Sequence, residues 1–464
     1  MKRTVLVHEY GKTAGPQAYL EEMAGEPYPA LLESSLHTGQ LGRYSILCWD
    51  PFRKLTCREG EVRTEDLESG ECRVTAGNPF KVLSAEFDSY RLDVPREFAL
   101  PFAGGAVGYF SYDLRHYVED LPRLCRYDLK LPEFVLCFYD RGLVFDHRSG
   151  KTYFVGPSDT EPPPRIPAGH RPLSPDEPPP TLLKSNFRPG EYTDAVRRVK
   201  EYIAAGDIFQ ANLSQRFDGP CEEDGLTLYG RLSRDNPAPF AAYLRYPNFE
   251  VISSSPERFL LLDGNRVTTR PIKGTRPRRI GDQVFNRRKR KELQGSEKDH
   301  AELAMIVDLE RNDLGRVCSY GTVRVKEHAV LETYPTVYHL VSTVEGRLHR
   351  EEHDEFGLLR ATFPGGSITG APKIRAMEII EEIEPHARSI YTGSIGYISF
   401  HGRMDLNIVI RTMVRTRGRI YMQFGGGIVA DSDPQMEYQE TLDKGKALFE
   451  AVGATNYAQA VEES

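Results

Sequence analysis

Apolar residues recur along this chain with two periods, one typical of helices and one typical of strands. Residues 191–205 place their apolar side chains on one helical face: Tyr192, Val196, Val199 and Ile203. Further helices are predicted at about 298–311, 372–382 and 434–451. Strand patterns occur at 104–112, 133–139, 208–217, 240–246, 250–253, 258–262, 393–400, 406–415 and 419–424. Because strands and helices do not alternate regularly, the pattern predicts an α+β fold.

A proline-rich segment interrupts this pattern. Residues 157–180 read PSDTEPPPRIPAGHRPLSPDEPPP. Proline has a fixed φ and no backbone N–H, so this stretch is excluded from a core helix or a central strand. We expect an exposed connector at 157–184 between an N-terminal region, 1–156, and a C-terminal region, 185–464. A linker between two domains and a surface loop within one domain both fit this pattern.

The composition predicts a packed protein that binds neither nucleic acid nor membrane. The 464 residues are 39% hydrophobic and 27% charged, with a net charge of −7, so the basic surplus typical of nucleic-acid-binding proteins is missing. No apolar run reaches the roughly 18 residues that a membrane-spanning helix needs. The seven cysteines form no CxxC pair, which favours reduced thiols and a cytoplasmic location.

Two of the predicted helices carry pairs of carboxylates three residues apart. Asp299 and Glu302 share one face of the first helix, and Glu437 and Glu440 share one face of the second, with Lys444 a turn further on. On its own, the second helix is more typical of solvated Glu–Lys pairs on a surface. An apolar run follows Glu302, however, and a buried carboxylate needs a partner. If the helices face each other, the four carboxylates form a hard-oxygen site that suits Mg²⁺.

Three other segments have the composition of ligand sites, although none decides a function alone. The turn at 363–373, FPGGSITGAPK, precedes a helix and offers backbone N–H groups to a phosphate or a carboxylate. The glycines at 425–427 either allow a ligand close to the backbone or form a tight turn. Lys273, in PIKGTRPR, is either a solvated loop lysine or a desolvated amine nucleophile.

Together, these segments resemble the chorismate-utilising enzymes, whose members form anthranilate, aminodeoxychorismate, isochorismate or salicylate. LLESS and GGAVGYFSYD extend the resemblance into the N-terminal region. The resemblance implies an anthranilate synthase component I-like fold, in which β-sheets pack together with helices on the outside. The matching C-terminal segments are GDIFQANLSQ, SSPERF, PIKGTRPR, AELAMIVDLERNDLGR, HLVSTVEG, FPGGSITGAPKIRAMEII, TGSIGYIS and GGGIVADSDPQMEYQETLDK.

The resemblance also implies roles for individual residues. It implies that Mg²⁺ is bound directly by Glu302 and Glu440, and through water by Asp299 and Glu437, and that it holds the ring carboxylate of chorismate. It makes Glu257 the general acid. His339 matches the active-site histidine of the anthranilate-forming members. The groups that it places around the substrate are Arg411, Tyr391, Lys444, the backbone of Gly425, Ser367, Thr369 and Gln210.

Two positions distinguish the reactions of the family. Gln210 stands where the water-using members have a lysine base, which argues against water as the nucleophile. Lys273 stands where the anthranilate-forming members usually have alanine, which implies attack of Lys273 at C2, expulsion of the C4 hydroxyl and entry of ammonia at C4. The product would be 4-amino-4-deoxychorismate, on the route to p-aminobenzoate and folate.

The resemblance implies that a separate glutamine amidotransferase subunit supplies the ammonia. It also implies a tryptophan-type pocket in the N-terminal region, because LLESS matches the tryptophan-binding segment of anthranilate-forming members. Two other functions stay open. The chain could form anthranilate and pyruvate, as anthranilate synthase component I does, or it could be a non-catalytic chorismate-binding regulatory subunit.

Overall fold

Two large antiparallel β-sheets form the centre of the computed structural model, which describes residues 5–36, 41–95, 97–169, 177–334 and 337–455. Within these residues each sheet has twelve strands. The strands are β1 (Val5–Gly11), β2 (Ala30–Glu33), β3 (Tyr44–Cys48), β4 (Arg53–Arg58), β5 (Glu61–Asp66), β6 (Cys72–Ala76), β7 (Gly105–Phe110), β8 (Phe134–Tyr139), β9 (Gly142–Asp146), β10 (Lys151–Pro157), β11 (Lys184–Ser185), β12 (Gln210–Pro220), β13 (Phe240–Tyr246), β14 (Phe249–Ser255), β15 (Arg258–Asp263), β16 (Arg266–Arg270), β17 (Ile272–Pro277), β18 (Arg324–Thr333), β19 (Val337–Arg347), β20 (Gly370–Ala371), β21 (Ser394–Ser399), β22 (Met404–Asn407), β23 (Thr412–Thr416) and β24 (Arg419–Ile428).

The helices lie between these strands in the chain. The α-helices of the described residues are α1 (Pro16–Glu22), α2 (Pro79–Asp88), α3 (Pro189–Ala204), α4 (Gly225–Asp235), α5 (Gln283–Gln294), α6 (Glu297–Gly315), α7 (Glu355–Thr362), α8 (Lys373–Ile383) and α9 (Pro434–Ala451). Short 3-10 helices span Met23–Gly25, Tyr112–Tyr117 and Gly366–Ile368. None of the helices in the described ranges has the length and apolarity needed to cross a membrane.

Each sheet contains strands from both sides of the proline-rich segment. The first sheet has the order β1-β10-β9-β3-β2-β13-β14-β23-β24-β12-β11, with β20 paired to β12. The second has the order β17-β19-β16-β15-β22-β21-β7-β8-β4-β5-β6, with β18 paired to β19. The regions 1–156 and 185–464 are therefore joined through shared sheets, and the connector at 157–184 stays a prediction as a domain boundary.

The core forms three layers of apolar side chains, and strand β7 shows how the sequence builds them. Val107 and Tyr109 point into the layer between the two sheets, which also contains Val144 and Leu244 of the first sheet. The alternate residues of β7 face the outer side of the second sheet, where α2, α6 and α7 pack. A third layer lies between the first sheet and α1, α3, α4, α8 and α9. The predicted α+β class, with packed sheets and outer helices, is confirmed.

Most of the predicted elements are present, but the strand predicted at 406–415 is wrong. The chain leaves β22 in the second sheet after Asn407, crosses at 408–411 and enters β23 in the first sheet. The side chain of Asn407 fixes the exit, since its Oδ1 accepts the Ile395 N–H at 2.8 Å and its Nδ2 donates to the Phe240 carbonyl at 3.1 Å. Both strands, β22 and β23, are buried, so the apolar run continues through the crossover and the sequence pattern gives no sign of it. Arg411 ends the crossover with a positive φ of 54°.

Candidate active site

Helices α6 and α9 begin beside each other, and the sequence fixes where each one starts. Ser296 caps α6, its hydroxyl accepting the Asp299 N–H at 3.3 Å. Asp433 caps α9 by accepting two backbone N–H groups of the first turn, and Pro434 takes the first helical position. The first turns therefore present Asp299 and Glu437, and Glu302 and Glu440 follow on the same faces about one turn later.

The ammonium of Lys298 lies between the two helices. Its Nζ is 3.9 Å from a carboxylate oxygen of Glu302 and 3.7 Å from one of Glu437. Among the described residues, no three acidic, histidine or cysteine side chains converge closely enough to enclose a metal ion. The carboxylates of both helices are therefore brought together around an ammonium. The Lys298 side chain is 49% exposed, so it has room to move away.

Three of the four carboxylates also have partners other than Lys298. The Glu440 carboxylate lies 2.5 Å from Nζ of Lys444, and this cation holds the pKa of Glu440 below its ordinary value. Ser432 donates to Glu437 at 2.6 Å, although burial keeps the pKa of Glu437 raised. Asp299 accepts from Arg276 at 3.0 Å. Glu437 and Asp299 are thus oriented by neighbouring donors.

Lys273 enters the same space from strand β17. A bulge at Gly274, which has a φ of +70°, turns the strand beside α6. A Cβ on Gly274 would lie 2.9 Å from the Asp299 carboxyl carbon, so glycine permits this close approach. The Nζ of Lys273 is 3.8 Å from Glu302, and the side chain is only 14% exposed. The amine therefore lies at the acidic pair of α6, largely shielded from water.

Gln210 lies next to this amine. It is 1% exposed, and neither its amide nitrogen nor its amide oxygen has a hydrogen-bond partner in the described part of the chain. A Cβ on Gly427 would lie 2.3 Å from the Gln210 amide nitrogen and 3.2 Å from Nζ of Lys273. An unpaired buried amide is costly, so it indicates a place where a ligand forms the missing hydrogen bonds.

Glu257 supplies a carboxyl group on another side of the space. It lies between β14 and β15 and is 5% exposed. Burial raises the pKa of Glu257 to about 7, while the Ser367 hydroxyl and the charge of Lys273 act in the opposite direction. Ser367 comes from the 3-10 turn Gly366–Ile368, within the glycine-rich segment. A carboxyl group that titrates near neutral pH is suited to general acid catalysis.

Arg411, Tyr391 and His339 complete the group. Burial lowers the pKa of Arg411, and the nearby charges of Tyr391, Glu440 and Glu257 oppose this shift, which places Arg411 among these groups. Burial also raises the pKa of Tyr391 to about 12 and lowers that of His339 to about 4. His339 is therefore neutral at neutral pH, with its Nδ1 3.0 Å from the Thr275 hydroxyl. The cations Arg411 and Lys444 favour an anionic ligand.

The family of chorismate binding enzymes matches residues 29–450. The chain belongs to the chorismate-binding enzymes. The predicted resemblance is thereby confirmed.

Relatives from two branches of the family are similar at nearly the same level. Aminodeoxychorismate synthase component 1 of Salmonella typhimurium is 43% identical over 425 residues, which cover 90% of this chain and 91% of that protein. Anthranilate synthase component 1 of Thermus thermophilus is 41% identical over 454 residues, 94% of each chain. The crystal structure of anthranilate synthase component I from Streptococcus pneumoniae matches with a TM-score of 0.75 and 31% identity, covering 89% of this chain and 93% of that one.

The fold of this chorismate-binding enzyme brings most of the predicted site residues together. Thr369 differs from the others because its hydroxyl bonds within its own turn. The Thr369 hydroxyl donates within its own turn, to the Gly365 carbonyl at 3.0 Å, and the Thr369 carbonyl accepts the Asn212 N–H at 2.7 Å. In this geometry Thr369 shapes the turn that carries Ser367. The Gly425 carbonyl accepts from Lys444 at 2.9 Å and so fixes that ammonium.

Sequence reasoning missed three side chains of the site. Lys298 stands four residues before Glu302, a spacing that places both on one helical face and could have revealed the pair. Arg276 has no such signal, because it reaches Asp299 from strand β17, whereas Ser432 lies directly before the N-cap of α9 and five residues before Glu437.

Proposed function

We propose that this chain is an aminodeoxychorismate synthase component 1, an enzyme that aminates chorismate at C4. The observation that carries the proposal is the shielded amine of Lys273, which lies beside Glu302 and the unpaired amide of Gln210. An amine there supplies a nucleophile that the anthranilate-forming reaction does not need. Gln210 supplies no base that would activate water.

Lys273 and Glu257 perform complementary parts of the reaction. Lys273 gives its ammonium proton to the solvent, and it regains one at the end of the cycle. The amine attacks C2 of chorismate, the ring double bonds shift, and the C4–O bond breaks as Glu257 gives its proton to the departing hydroxyl, which leaves as water. Ammonia then attacks C4, the double bonds shift back, and the C2–N bond breaks, so that Lys273 leaves as an amine. One proton of the new ammonium returns to Glu257. Chorismate and ammonia thus give 4-amino-4-deoxychorismate and water.

The remaining residues bind the two carboxylates of chorismate. Arg411 and Lys444 supply the positive charge, with Tyr391, Ser367 and the backbone of Gly425 at the edges of the site. His339, which is neutral, offers a hydrogen bond without adding charge. Thr369 keeps the Ser367 turn in shape. These groups orient the ring so that C2 faces Lys273 and the C4 oxygen faces Glu257.

The gap between α6 and α9 has the donors that Mg²⁺ prefers. Glu302 and Glu440 would bind the metal directly, and Asp299 and Glu437 would bind through water. The position of Lys298, within 4 Å of carboxylates from both helices, supports this assignment because a cation is already favoured there. When bound, Mg²⁺ would hold the ring carboxylate of chorismate and offset its charge.

A partner must supply the ammonia. The relatives are named component 1, and we assign a glutamine amidotransferase subunit as the second component. We place this reaction in the cytoplasm.

A cavity between the two sheets is the proposed site for tryptophan. It has a volume of about 340 Å³, within the range of small-molecule sites. The predicted LLESS segment contributes Leu32, Glu33 and Ser34 to its wall, and Phe240 and Tyr397 add aromatic surface. These rings suit an indole.

Product analysis tests the proposal. Purified protein with chorismate, Mg²⁺ and an ammonium salt should form 4-amino-4-deoxychorismate, identified by mass and by its conversion to p-aminobenzoate with an added lyase. Glutamine in place of ammonium should give no product unless the partner is added. Release of anthranilate and pyruvate would instead establish anthranilate synthesis. Chorismate binding without any turnover would establish a regulatory subunit.

A further inference from the structure

A fully buried ion pair behind the site has no role in the chemistry described above. Arg388 follows α8 and is 3% exposed. Its Nε and one terminal nitrogen donate to the two carboxylate oxygens of Glu384, at 2.9 and 2.7 Å. Such a bidentate pair fixes the plane of the guanidinium, so its other N–H groups point in defined directions.

Those other N–H groups reach three separate segments. Nη1 donates to the Ile368 carbonyl at 2.9 Å and lies 3.4 Å from the Thr392 hydroxyl. Nη2 donates to the Asn212 carbonyl. Ile368 lies between Ser367 and Thr369, Asn212 follows Gln210 by two residues on β12, and Thr392 follows Tyr391. One side chain therefore joins the glycine-rich turn, the Gln210 strand and the Tyr391 loop.

Glu384 extends the connection to a fourth segment. It accepts the N–H and the hydroxyl of Ser214, at 2.8 and 2.7 Å. Ser214 pairs with Gly425 in the β12–β24 ladder, and the Gly425 carbonyl holds Lys444. The ion pair thus contacts the segments that carry Ser367 and Tyr391, and it reaches the Gly425 edge through Ser214.

We infer that Arg388, held by Glu384, is a positioning residue for the chorismate site, which sets the Ser367 turn, Tyr391 and the Gly425 edge relative to one another. This inference rests on the proposed function. A misplacement of about 1 Å in such groups can reduce the rate about 10²-fold. The loss should appear in kcat more than in stability.

A second buried ion pair provides a matched control. Arg115 pairs with Glu381, three residues before Glu384 on α8, and both side chains are 1% exposed. The two guanidinium groups lie over the ring of the same residue, Tyr112, at 4.2 and 4.8 Å. Glu381 accepts from the N–H groups of Leu124 and Cys125, which belong to no segment of the proposed site.

The test compares Arg388→Lys with Arg115→Lys in the full-length protein, assayed with chorismate, Mg²⁺ and ammonium. We expect similar losses of thermal stability in both. For Arg388→Lys alone, kcat should fall about 10²-fold, with the Mg²⁺ concentration for half-maximal rate unchanged. Equal loss of kcat in both variants, or wild-type kcat in Arg388→Lys, would overturn the inference.

Three alternative comparisons keep the inference testable. If Arg388→Lys is not recovered folded, Glu384→Gln and Glu381→Gln replace the lysine variants. A loss of kcat in Glu384→Gln alone would then support the inference, and an equal loss in both variants, or wild-type kcat in Glu384→Gln, would overturn it. If the wild-type protein forms a different product from chorismate, the proposed function fails, but the comparison is made on that product. If it forms none, the dissociation constant for chorismate by calorimetry replaces kcat, and only the Arg388 variant should bind more weakly.

Discussion

Lys273 is the residue whose environment separates the two amination reactions of the family. Its amine is shielded from water, 3.8 Å from Glu302, and shares the space over Gly427 with the unpaired amide of Gln210. A lysine with only a structural role at this place would face the solvent or form a close ion pair. The longer distance to Glu302 leaves the amine able to approach a substrate ring.

Replacing Lys273 by alanine should therefore remove the first bond-forming step. We expect Lys273→Ala to reduce formation of aminodeoxychorismate by about 10²-fold or more, since a nucleophile held against the ring replaces a bimolecular reaction. The rate with ammonium is measured by product chromatography. Mg²⁺ affinity, measured by calorimetry, should persist because Glu302 and Glu440 remain. Unchanged turnover would remove the nucleophile from the mechanism.

The raised pKa of Glu257 predicts how kcat depends on pH. Because burial raises its pKa to about 7, the protonated form that serves as the acid is lost as the pH rises above that value, and kcat should fall on the alkaline side. Glu257→Gln should lose that dependence and about 10²- to 10⁴-fold in kcat, the range for general acid catalysis. A pH–rate profile of both proteins checks this. A wild-type rate that is flat between pH 6 and 9 would contradict it.

The same residue should also make the stability of the fold depend on pH. The folded pKa of about 7 exceeds the ordinary value of 4.5, so the folded state binds the Glu257 proton more tightly than the unfolded state. Stability is therefore lost as the pH rises from 4.5 through 7, by on the order of 3 kcal/mol at most. Glu257→Gln removes this loss. Denaturant unfolding of the metal-free proteins should show that the variant gains stability relative to wild type as the pH rises from 5 to 8. An equal stability difference at pH 5 and at pH 8 would contradict this prediction.

At the scale of elements, the site depends on two helix starts that face each other. Glu302, in the second turn of α6, and Glu437, in the first turn of α9, lie within 4 Å of one ammonium, that of Lys298. An exposed lysine of this kind contributes little to stability, up to about 1 kcal/mol per pair. It does, however, compete with any metal ion for the same carboxylates.

Two variants of α6 should change Mg²⁺ affinity in opposite directions. Glu302→Gln removes a charged ligand and should weaken Mg²⁺ binding strongly, with activity lost in parallel. Lys298→Met removes the competing cation and should tighten binding by about fivefold, the equivalent of roughly 1 kcal/mol. Titration of the free enzyme with Mg²⁺ by calorimetry measures both. Weaker binding in Lys298→Met would show that the lysine supports the metal site instead.

The elements that were predictable from sequence are those whose signals are local. Helix α9 has a proline start and a polar N-cap, and its predicted bounds match those observed, Pro434–Ala451. The crossover at 408–411 was not predictable, because the strands on both sides are buried and the apolar run gives no sign of a change of sheet. Arg276 and Arg388 depend on contacts between distant segments, which no spacing along the chain encodes.

At the scale of the whole molecule, the two shared sheets connect the cavity to the active site. Arg258 lines the cavity and directly follows Glu257, and it is held by Asp405 at 2.9 Å and by the ring of Phe240. Asn407, on the same wall, begins the crossover that ends at Arg411. A ligand in the cavity would therefore lie against residues that are adjacent in the chain to Glu257 and to the crossover.

Tryptophan binding in this cavity should stabilise the protein as a whole. A ligand that binds only the folded state adds about 2.7 kcal/mol of stability at a concentration 100 times its dissociation constant, so the melting temperature should rise with tryptophan but not with alanine. Leu32→Trp should fill the cavity with an indole of its own and abolish the shift, since Leu32 lines the cavity. Leu6→Trp, on the exposed edge strand β1 of the same sheet, is the matched control and should keep the shift. A tryptophan-dependent shift that persists in Leu32→Trp would place the ligand elsewhere in the molecule, because both variants add the same side chain and only one adds it to the cavity.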